Sequence, residues 1–462
     1  MRTRVEPQYK SRTDILYLLE KHQVLIVTGE TGSGKSTQIP QYLMEAGWAQ
    51  KGQMIGITQP RRVAAISSLR STIYSSFSKS ISAEILSIQG RVYPVEVYYL
   101  NDPVANYVKA SVETMKVFEP FSPKVRKVVV ATNIAEASVT INGIVYVVDS
   151  GFVKLNFFNP KTSTDALVVV PASQSSAEQR AGRAGRVSSG KVYRLYREED
   201  FKCLPMHTVP EIQRSNLATF ILQLKSLGVD NIAHFSFPAA PPSNIVINAL
   251  ELDYALGALD SSGNLTELGM KMVTFPVSTM QAKMLLASGE FGCSQEALTI
   301  VAMLQIESIF LQPSHRRAEA RKAKYKFSVL EGDLLTLLNV YNAFIQKGKD
   351  KQWCGQMYLN YKGLMRATEI RKQLHKLLQK CKVPIVSCEG DTDAVCRCIV
   401  TGYFANAAYL HYSGEYRTVC GDHTLAIHPT SVLYTQKQPK WTQMLQEELC
   451  YECDNPLHDW TS

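Results

Sequence analysis

Residues 29–37 carry the clearest chemistry in the chain, because they read Gly-Glu-Thr-Gly-Ser-Gly-Lys-Ser-Thr and match the pattern G-x-x-x-x-G-K-[ST]. The apolar, β-branched run at residues 24–28 predicts a buried strand directly before them. In such a strand–loop–helix, glycine N–H groups surround a phosphate and the helix N-terminus adds a positive dipole. Lys35 can reach the β- and γ-phosphates, and the Ser36 hydroxyl can bind Mg²⁺. The sequence therefore predicts a nucleoside-triphosphate site here.

Residues 179–186 form a second candidate site and read Gln-Arg-Ala-Gly-Arg-Ala-Gly-Arg. Arg180, Arg183 and Arg186 are spaced i, i+3 and i+6, so they share one face of a helix or turn, and the glycines permit close approach. A basic surface face, the structural alternative, would not need the glycines. Together with a distant P-loop, the cluster suggests an arginine finger that acts across a domain cleft.

Two further segments place polar side chains after predicted strands. Arg61 and Arg62 follow the strand predicted at residues 54–58, where paired arginines could hold a polyanion backbone or simply begin a solvated helix. Thr132 and Asn133 follow the apolar run that predicts a strand at residues 127–131. Sheets in α/β proteins bind ligands at the carboxyl ends of their strands, so both segments are candidate binding surfaces.

Together these four segments resemble the motifs of the DEAH-box family of ATP-dependent RNA helicases, and the resemblance covers nearly the whole chain. It implies an α/β fold with two RecA-like P-loop domains, followed by winged-helix, helical ratchet and OB-like β-barrel domains. It also implies ATP with Mg²⁺ between the RecA-like domains, and single-stranded RNA held by its backbone in a channel between these domains and the C-terminal block. Spliceosomal or activator proteins are further implied partners. The implied location is nuclear, with a cytoplasmic one as the alternative.

The resemblance assigns a role to each residue that matches a family motif. Gln179 would place the attacking water, and Arg183 and Arg186 would contact the γ-phosphate, one of them as the finger. The residues implied to bind the nucleotide are Gly29, Thr31, Gly32, Ser33, Gly34, Lys35, Ser36 (also the Mg²⁺ ligand), Thr37 and, stacked on the adenine, Phe118. The residues implied to bind RNA are Arg61, Arg62, Thr132 and Asn133.

The motif that names the family is missing from this chain. No Asp-Glu dipeptide occurs in the 462 residues, and the Ser-Ala-Thr motif that normally follows is missing too. Only 27 residues lie between Arg62 and Gly90, where the second RecA-like domain would begin, and this is too few to complete the first. Residues 113–118 also pass directly from a helix to the adenine-stacking region. Both RecA-like domains therefore look shortened. The motifs on either side of each missing block stay in frame, as exon skipping or an incomplete gene model would leave them.

The missing carboxylates leave two functions open. They would anchor Mg²⁺ and activate water, and the loss of such a group commonly costs several orders of magnitude in rate. Asp149, which ends the apolar run at residues 144–148, could substitute as a Mg²⁺ ligand, although the family has an ordinary strand there. The chain is then either an ATP-dependent RNA helicase linked to pre-mRNA processing or a non-catalytic RNA- or partner-binding chain with vestigial ATP motifs.

The C-terminal half follows helical patterns and then short strands. Helices are predicted from Pro210 to Gly228 and at about residues 247–257, a hairpin-like turn at 260–264, and mostly helix over 269–388. Strands are predicted at residues 397–401 and 424–428. Six cations within residues 316–326 indicate an RNA-contact patch, a nuclear-localisation signal or a solvated face. The predicted domains are two partial RecA-like domains at 1–89 and 90–207, a winged helix at 208–268, a ratchet at 269–388 and an OB-like barrel, which could be incomplete, at 389–462.

Composition excludes several classes of protein. With 45% apolar residues and no long polar tract, the chain is not expected to be disordered, and its apolar runs are too short for a membrane span. No signal peptide is predicted. A net charge of +9 suits an anionic partner. Cysteine pairs at 396/398 and 450/453 resemble half of a zinc site, but reduced thiols in a cytosolic or nuclear protein fit the spacing better.

Overall fold

The protein forms two compact units in the computed structural model. The first contains residues 1–157, 167–214 and 236–240, and the second contains residues 158–166, 215–235 and 241–462. The structure describes residues 12–22, 24–29, 35–48, 83–88, 93–104, 106–116, 128–133, 136, 143–160, 162–185, 188–306, 308–313, 315–419, 421–435, 441–443 and 449–450.

The first unit combines parallel strands with short helices. Its helices are α1 Arg12–Lys21, α2 Lys35–Glu45, α3 Tyr107–Lys116, α4 Gln174–Ala181 and α5 Glu198–Cys203, with a 3₁₀ turn at Glu211–Gln213. Its strands are β1 Val24–Gly29, β2 Ala83–Ile88, β3 Val95–Tyr99, β4 Tyr146–Asp149 and β7 Gly190–Arg194. The hairpin β5 Phe152–Asn159 and β6 Thr164–Pro171 begins and ends in this unit, and its tip at 158–166 belongs to the second.

Two parallel sheets carry the candidate site. β1 pairs with β2, so the strand predicted at residues 24–28 is confirmed. In the other sheet the order is β3-β7-β4, and Val97 and Val147 both lie opposite Val192 on the central strand. The turn after α4 packs closely on this sheet, because a Cβ on Gly190 would lie 2.6 Å from the Ala184 carbonyl oxygen. Glycine at 190 therefore fixes where α4 ends relative to the sheet.

The strand predicted at residues 127–131 is wrong for the part that the structure describes. Residues 128–132 have no regular secondary structure, and Val128, Val129 and Val130 are exposed. A strand needs a neighbour to complete its backbone hydrogen bonds, and none of the described strands pairs with this segment. A high β propensity alone therefore did not produce a strand.

The second unit is mainly helical. Its helices are α6 Ala218–Ser226, α7 Ser243–Ala255, α8 Glu267–Val273, α9 Thr279–Ala287, α10 Ser294–Leu304, α11 Arg317–Tyr325, α12 Asp333–Gln346, α13 Lys351–Gln356, α14 Tyr361–Lys380 and α15 Thr392–Tyr403. Its 3₁₀ turns are Ile232–His234, Phe404–Asn406 and Val432–Thr435. α10 is the centre of the core, since its residues 297–303 are all buried. The mostly helical pattern predicted for residues 269–388 is confirmed.

The helix predicted from Pro210 begins later than expected. After the 3₁₀ turn, α6 starts at Ala218, whose N–H donates to the Asn216 side chain at 2.9 Å. Gly228 ends this helix with a φ of +87°, as predicted, but Leu227 is exposed and does not belong to the buried face. The turn predicted at residues 260–264 is confirmed by the hydrogen bond from the Asp260 N–H to the Asn264 carbonyl.

The strand predicted at residues 397–401 is wrong, because this segment lies inside α15. Val395, Cys398, Ile399 and Gly402 follow a helical spacing and are buried, and Asp391 caps the helix. Packing on one helical face outweighed the β propensity of Ile-Val-Thr. The strand predicted at 424–428 is confirmed as part of an antiparallel sheet of order β11-β8-β9-β10-β12. Its strands are β8 Ala407–Leu410, β9 Tyr416–Thr418, β10 Thr424–Ile427, β11 Trp441–Gln443 and β12 Leu449–Cys450.

Candidate functional site

The P-loop motif lies between a strand and a helix, as its chemistry requires. β1 ends at Gly29 and α2 begins at Lys35. Thr31, Gly32, Ser33 and Gly34 lie outside the described residues, and the structure describes only the helical backbone of Lys35, Ser36 and Thr37. The phosphate and Mg²⁺ contacts of this loop therefore stay predictions, within a local fold that suits them.

The other predicted site residues divide between described and undescribed segments. Thr132 and Asn133 are exposed beside a turn, while Gln179 is half-buried on α4 and Arg183 follows it in a turn. The predicted residues that lie outside the described part of the chain are Arg61, Arg62, Phe118 and Arg186. Within the described part, the structure brings the Asn133 segment and the α4 segment together.

Arg180 is the centre of a buried ion-pair network. Its Nη1 donates to Asp149 Oδ1 at 2.6 Å, and its Nε donates to Glu136 Oε2 at 3.0 Å. The exposed fractions are 16% for Arg180, 9% for Glu136 and 0% for Asp149, so water screens these pairs little. Burial alone would lower the pKa of Arg180, but the charges of Asp149 and Glu136 offset it and raise that pKa. Arg180 is therefore a fixed cation between two acids.

Glu136 connects two of the predicted motifs. Its backbone N–H donates to the Asn133 carbonyl at 3.0 Å, and its carboxylate also accepts from the Ser176 hydroxyl. Arg183 Nε donates to the Glu136 carbonyl oxygen at 2.8 Å. The predicted RNA-binding segment and the predicted γ-phosphate arginine thus share one residue.

Asp149 is not a free ligand for a cation. Its Oδ1 accepts from Arg180 and from the Gly151 N–H at 3.0 Å, and its Oδ2 accepts from the Tyr196 hydroxyl at 3.0 Å. Burial and the charge of Asp149 raise the pKa of Tyr196, which keeps that hydroxyl protonated as a donor. This carboxylate does not suit the alternative role of Mg²⁺ ligand, because it is completely buried and its charge is already paired with Arg180. It is a structural anchor for Arg180.

The sequence did not reveal Glu136, Asp149 and Arg180 as a network. Arg180 lies 31 positions from Asp149 and 44 from Glu136, so no local spacing connects them. The available signal was a single acid in each of two otherwise apolar or small-residue segments, around Glu136 and Asp149. Such charges are seldom buried unless they are paired.

The second unit contains a separate cavity of about 910 Å³, lined by both polar and apolar side chains. Gln305 Nε2 donates to Gln281 Oε1 at 3.0 Å on its wall, and Lys324 pairs with Asp333 at 3.6 Å. Further polar groups on its lining are Ser278, Ser308, Gln312, Asn406, Thr430 and Ser431. Amides and hydroxyls of this kind can bind groups that both donate and accept hydrogen bonds.

The six cations of residues 316–326 have different surroundings. Lys324 is largely buried, pairs with Asp333 and lies 4.9 Å from the centre of the Phe310 ring, so it has a structural role. The five others are exposed on or beside α11: Arg316, Arg317, Arg321, Lys322 and Lys326.

The described residues contain no cluster of His, Cys, Asp and Glu that could hold a metal ion, and their cysteines are free thiols. Among the helices of the described ranges, none is both long and apolar enough to span a membrane.

Comparison with known proteins identifies three helicase regions. Residues 56–188 match the helicase conserved C-terminal domain, residues 254–277 the winged-helix helicase-associated domain, and residues 278–337 the ratchet-like helicase-associated domain. The chain is 42% identical over 598 residues to the probable ATP-dependent RNA helicase DHX35 of Homo sapiens, which covers 94% of this chain and 85% of the relative. It is 34% identical over 609 residues to the DHX35 homolog of Caenorhabditis elegans, covering 96% and 83%.

These alignments are longer than the chain itself. The human alignment extends over 598 residues and this chain has 462, so the relative contributes positions that have no counterpart here. This supports the interpretation that internal blocks are missing, which rested on motif spacing alone.

Proposed function

Because this chain belongs to the DEAH-box family of ATP-dependent RNA helicases, we propose that it binds ATP with Mg²⁺ at the P-loop and single-stranded RNA through its helicase motifs. Hydrolysis of ATP would drive movement along RNA in pre-mRNA processing, in the nucleus and with spliceosomal or activator proteins. The names of the relatives support the helicase activity, and the motif resemblance supports the finer assignments.

One observation carries this proposal: Glu136 contacts both the Asn133 segment and the arginine segment. An ATP-driven helicase needs a rigid connection between its RNA contacts and its γ-phosphate contacts. Backbone and side-chain bonds of one buried residue provide such a connection, with little freedom for independent movement. The parallel sheet β3-β7-β4 beside α4 suits a RecA-like domain, and the five-stranded antiparallel sheet suits an OB-like domain.

RNA would also use the second unit. The mixed lining of its cavity includes amides and hydroxyls that suit the edges of unpaired bases. We propose that bases of the bound strand enter this cavity.

The lack of the expected catalytic carboxylates favours a second candidate function. No Asp-Glu dipeptide occurs in the chain, and Asp149 is fully engaged with Arg180, Tyr196 and Gly151. With neither a general base nor a second Mg²⁺ anchor, the chain would bind RNA or a partner and turn over ATP only at background rate.

The measurement that separates the two candidates is RNA-stimulated ATP turnover by the purified chain beside Lys35→Ala. The helicase proposal expects faster turnover in the unmodified chain, because Lys35 contacts the phosphates. Lys21→Ala is the matched control, since Lys21 is an exposed cation at the end of α1. Equal background rates in all three proteins would favour the non-catalytic candidate. Salt-sensitive RNA binding that survives Lys35→Ala would then identify an RNA-binding chain.

A further inference from the structure

One face of α14 carries a row of positive charges. Its exposed cations are Lys362, Arg366, Lys372, Lys376 and Lys380. Relative to Lys362, Arg366, Lys376 and Lys380 follow after 4, 14 and 18 residues, each close to a whole number of turns, so the four lie along one side of the helix. From Lys362 to Lys380 this row, the α14 stripe, is about 27 Å long.

The opposite face of α14 fixes the helix in the core. Gly363, Leu364, Ala367, Leu374 and Leu378 are buried there, and Leu374 and Leu378 belong to the main apolar core of the second unit. The α14 stripe is therefore presented on a rigid element.

Arg371 shows what a structural cation on this helix looks like. Its Nη2 donates to the Gln295 side chain at 2.5 Å, and its Nε donates to Thr299 at 2.9 Å, so it ties α14 to α10. The stripe residues differ, because across the described ranges Lys362, Arg366, Lys376 and Lys380 have no ion-pair or hydrogen-bond partner for their side chains. Nothing in the described part of the fold accounts for these four charges.

Acidic residues do little to neutralise the α14 stripe. Glu369 is the only acid on α14, and it pairs with Lys372 at 2.9 Å. A hydrogen bond from Lys372, its charge, and the charge of Lys349 lower the pKa of Glu369, so this carboxylate stays ionised in positive surroundings.

The stripe is unfavourable to the isolated helix. Lys362 with Arg366, and Lys376 with Lys372 and Lys380, are like charges four residues apart, and each such pair costs a few tenths of a kcal/mol. Lys380 stabilises the helix dipole at the C-terminus, but Lys362 lies in the first turn, where a cation opposes it. An anion along the stripe would remove this repulsion.

We infer that the α14 stripe binds the phosphate backbone of RNA, as an additional contact surface in the second unit. Its cations form two pairs, each about 6 Å apart along the helix, with about 15 Å between the pairs, so the stripe can contact separate phosphates of one extended polyanion. The inference rests on the proposed RNA-binding function, and it adds a surface outside the helicase motifs of the first unit.

The test removes three charges from the stripe. The variant K362Q/R366Q/K376Q is compared with K109Q/K202Q/K271Q, whose lysines are exposed and each pair with a glutamate four residues away. Both variants lose the same net charge, and both change only surface positions. Anisotropy of a fluorescein-labelled oligouridylate of about 40 nucleotides is measured over a potassium chloride series. We expect the slope of log K against log salt to fall by about two for the stripe variant, since each lost phosphate contact removes about 0.7.

Several outcomes would overturn the inference. They are an unchanged slope in the stripe variant, or an equal fall in the control variant, which would mean that net charge alone matters. If the stripe variant keeps its RNA affinity but binds poly-glutamate more weakly than the unmodified chain does, the partner of the stripe is an acidic protein. The charge-preserving variant K362R/R366K/K376R should keep the unmodified slope. No RNA binding by the unmodified chain would overturn the proposed function itself, whereas RNA binding with an insensitive stripe would overturn only this inference.

Discussion

Arg180 shows how a single buried charge can organise a helicase motif. Its guanidinium spans Asp149 on β4 and Glu136 beside the Asn133 turn, and both acids are almost completely buried. Removing two carboxylates from water is unfavourable unless a cation pairs with them. Arg183 donates to the backbone carbonyl oxygen of Glu136. We therefore expect Arg180 to stabilise the motif and Arg183 to act on its ligand.

The first prediction concerns this difference. Arg180→Ala should destabilise the first unit by about 3–5 kcal/mol, because it leaves two buried carboxylates without a cation. Arg180→Lys should recover only part of the loss, since an ammonium cannot replace the two-pronged guanidinium. Urea denaturation measures the change. The control is Arg197→Ala, whose pairs with Glu199 and Asp200 are exposed and screened by water, so its loss of stability should be much smaller. Equal losses at both positions would contradict the structural role of Arg180.

Asp253 is a second buried charge, with no cation beside it. It lies on α7 with 0% of its surface exposed, and neither carboxylate oxygen has a donor in hydrogen-bond geometry. Burial raises the pKa of Asp253 to about 8, against a small lowering effect of Thr279. The folded protein therefore holds a proton that the unfolded chain releases near its ordinary pKa of about 4.

The second prediction is a loss of stability as the pH rises. A carboxyl with a raised pKa in the folded state stabilises the fold fully at a pH below its unfolded pKa. This stabilisation is lost as the pH rises to the folded pKa, so stability should fall between about pH 4 and pH 8. In this range the free energy of unfolding should fall by at most about 1.4 kcal/mol per pH unit. From pH 5 to 8 the total loss is therefore at most about 4 kcal/mol. Urea midpoints followed by circular dichroism would measure this. Asp253→Asn should flatten the dependence, and Asp253→Leu should exceed the unmodified stability at pH 8. If the unmodified chain and Asp253→Asn show the same dependence of stability on pH, the prediction is wrong.

At the scale of elements, α9 and α15 pack so closely that a side chain at their crossing is excluded. A Cβ on Gly402 would lie 2.2 Å from the Met280 carbonyl oxygen, a backbone atom that cannot move alone. The third prediction is that Gly402→Ala costs about 1–3 kcal/mol by forcing the helices apart. Gly355→Ala on α13 is the control, because its Cβ would meet nothing within 4 Å and should add about 0.5–1 kcal/mol of stability. The melting temperatures of both variants test this prediction. An unchanged melting temperature for Gly402→Ala would show that the two helices can move apart without cost.

Local patterns predicted the elements that depend on local physics. The β-branched run of β1, the turn at Asp260 and the strand β10 follow from side-chain type and neighbouring residues. The sequence misled at α15, where burial of Val395 and Ile399 against the helical core outweighed β propensity. It misled again at residues 128–132, where a strand needs a neighbour that local sequence cannot specify. The Arg180 network was missed for the same reason, since its acids come from distant segments.

At the scale of the whole molecule, the net charge is related to the binding surfaces of the chain, and the length is related to its missing catalytic motif. The net charge of +9 is partly explained by unpaired cations on α14, a surface that motif reading did not identify. The length of 462 residues is shorter than the 598-residue alignment with the human relative. The recognisable motifs are those for phosphate, RNA and the arginine cluster, and the missing one supplies the carboxylates. The sequence therefore keeps the motifs expected to bind phosphate and RNA, and it has no Asp-Glu pair of the kind expected to supply the general base.

The fourth prediction restores that base. A segment that carries the Asp-Glu-x-His motif of the family is taken from the human relative and inserted between Arg62 and Gly90, where the motif spacing predicts the missing block. RNA-stimulated ATP turnover should rise by about 10²–10⁴-fold, the usual contribution of a positioned general base. The matched control carries the same insertion with its Asp-Glu changed to Asn-Gln, which keeps the fold and removes the carboxylates. A rise in both hybrids would mean that the insertion acts by completing the sheet. A rise in neither would place the deficit in the second shortened block, between Glu113 and Phe118.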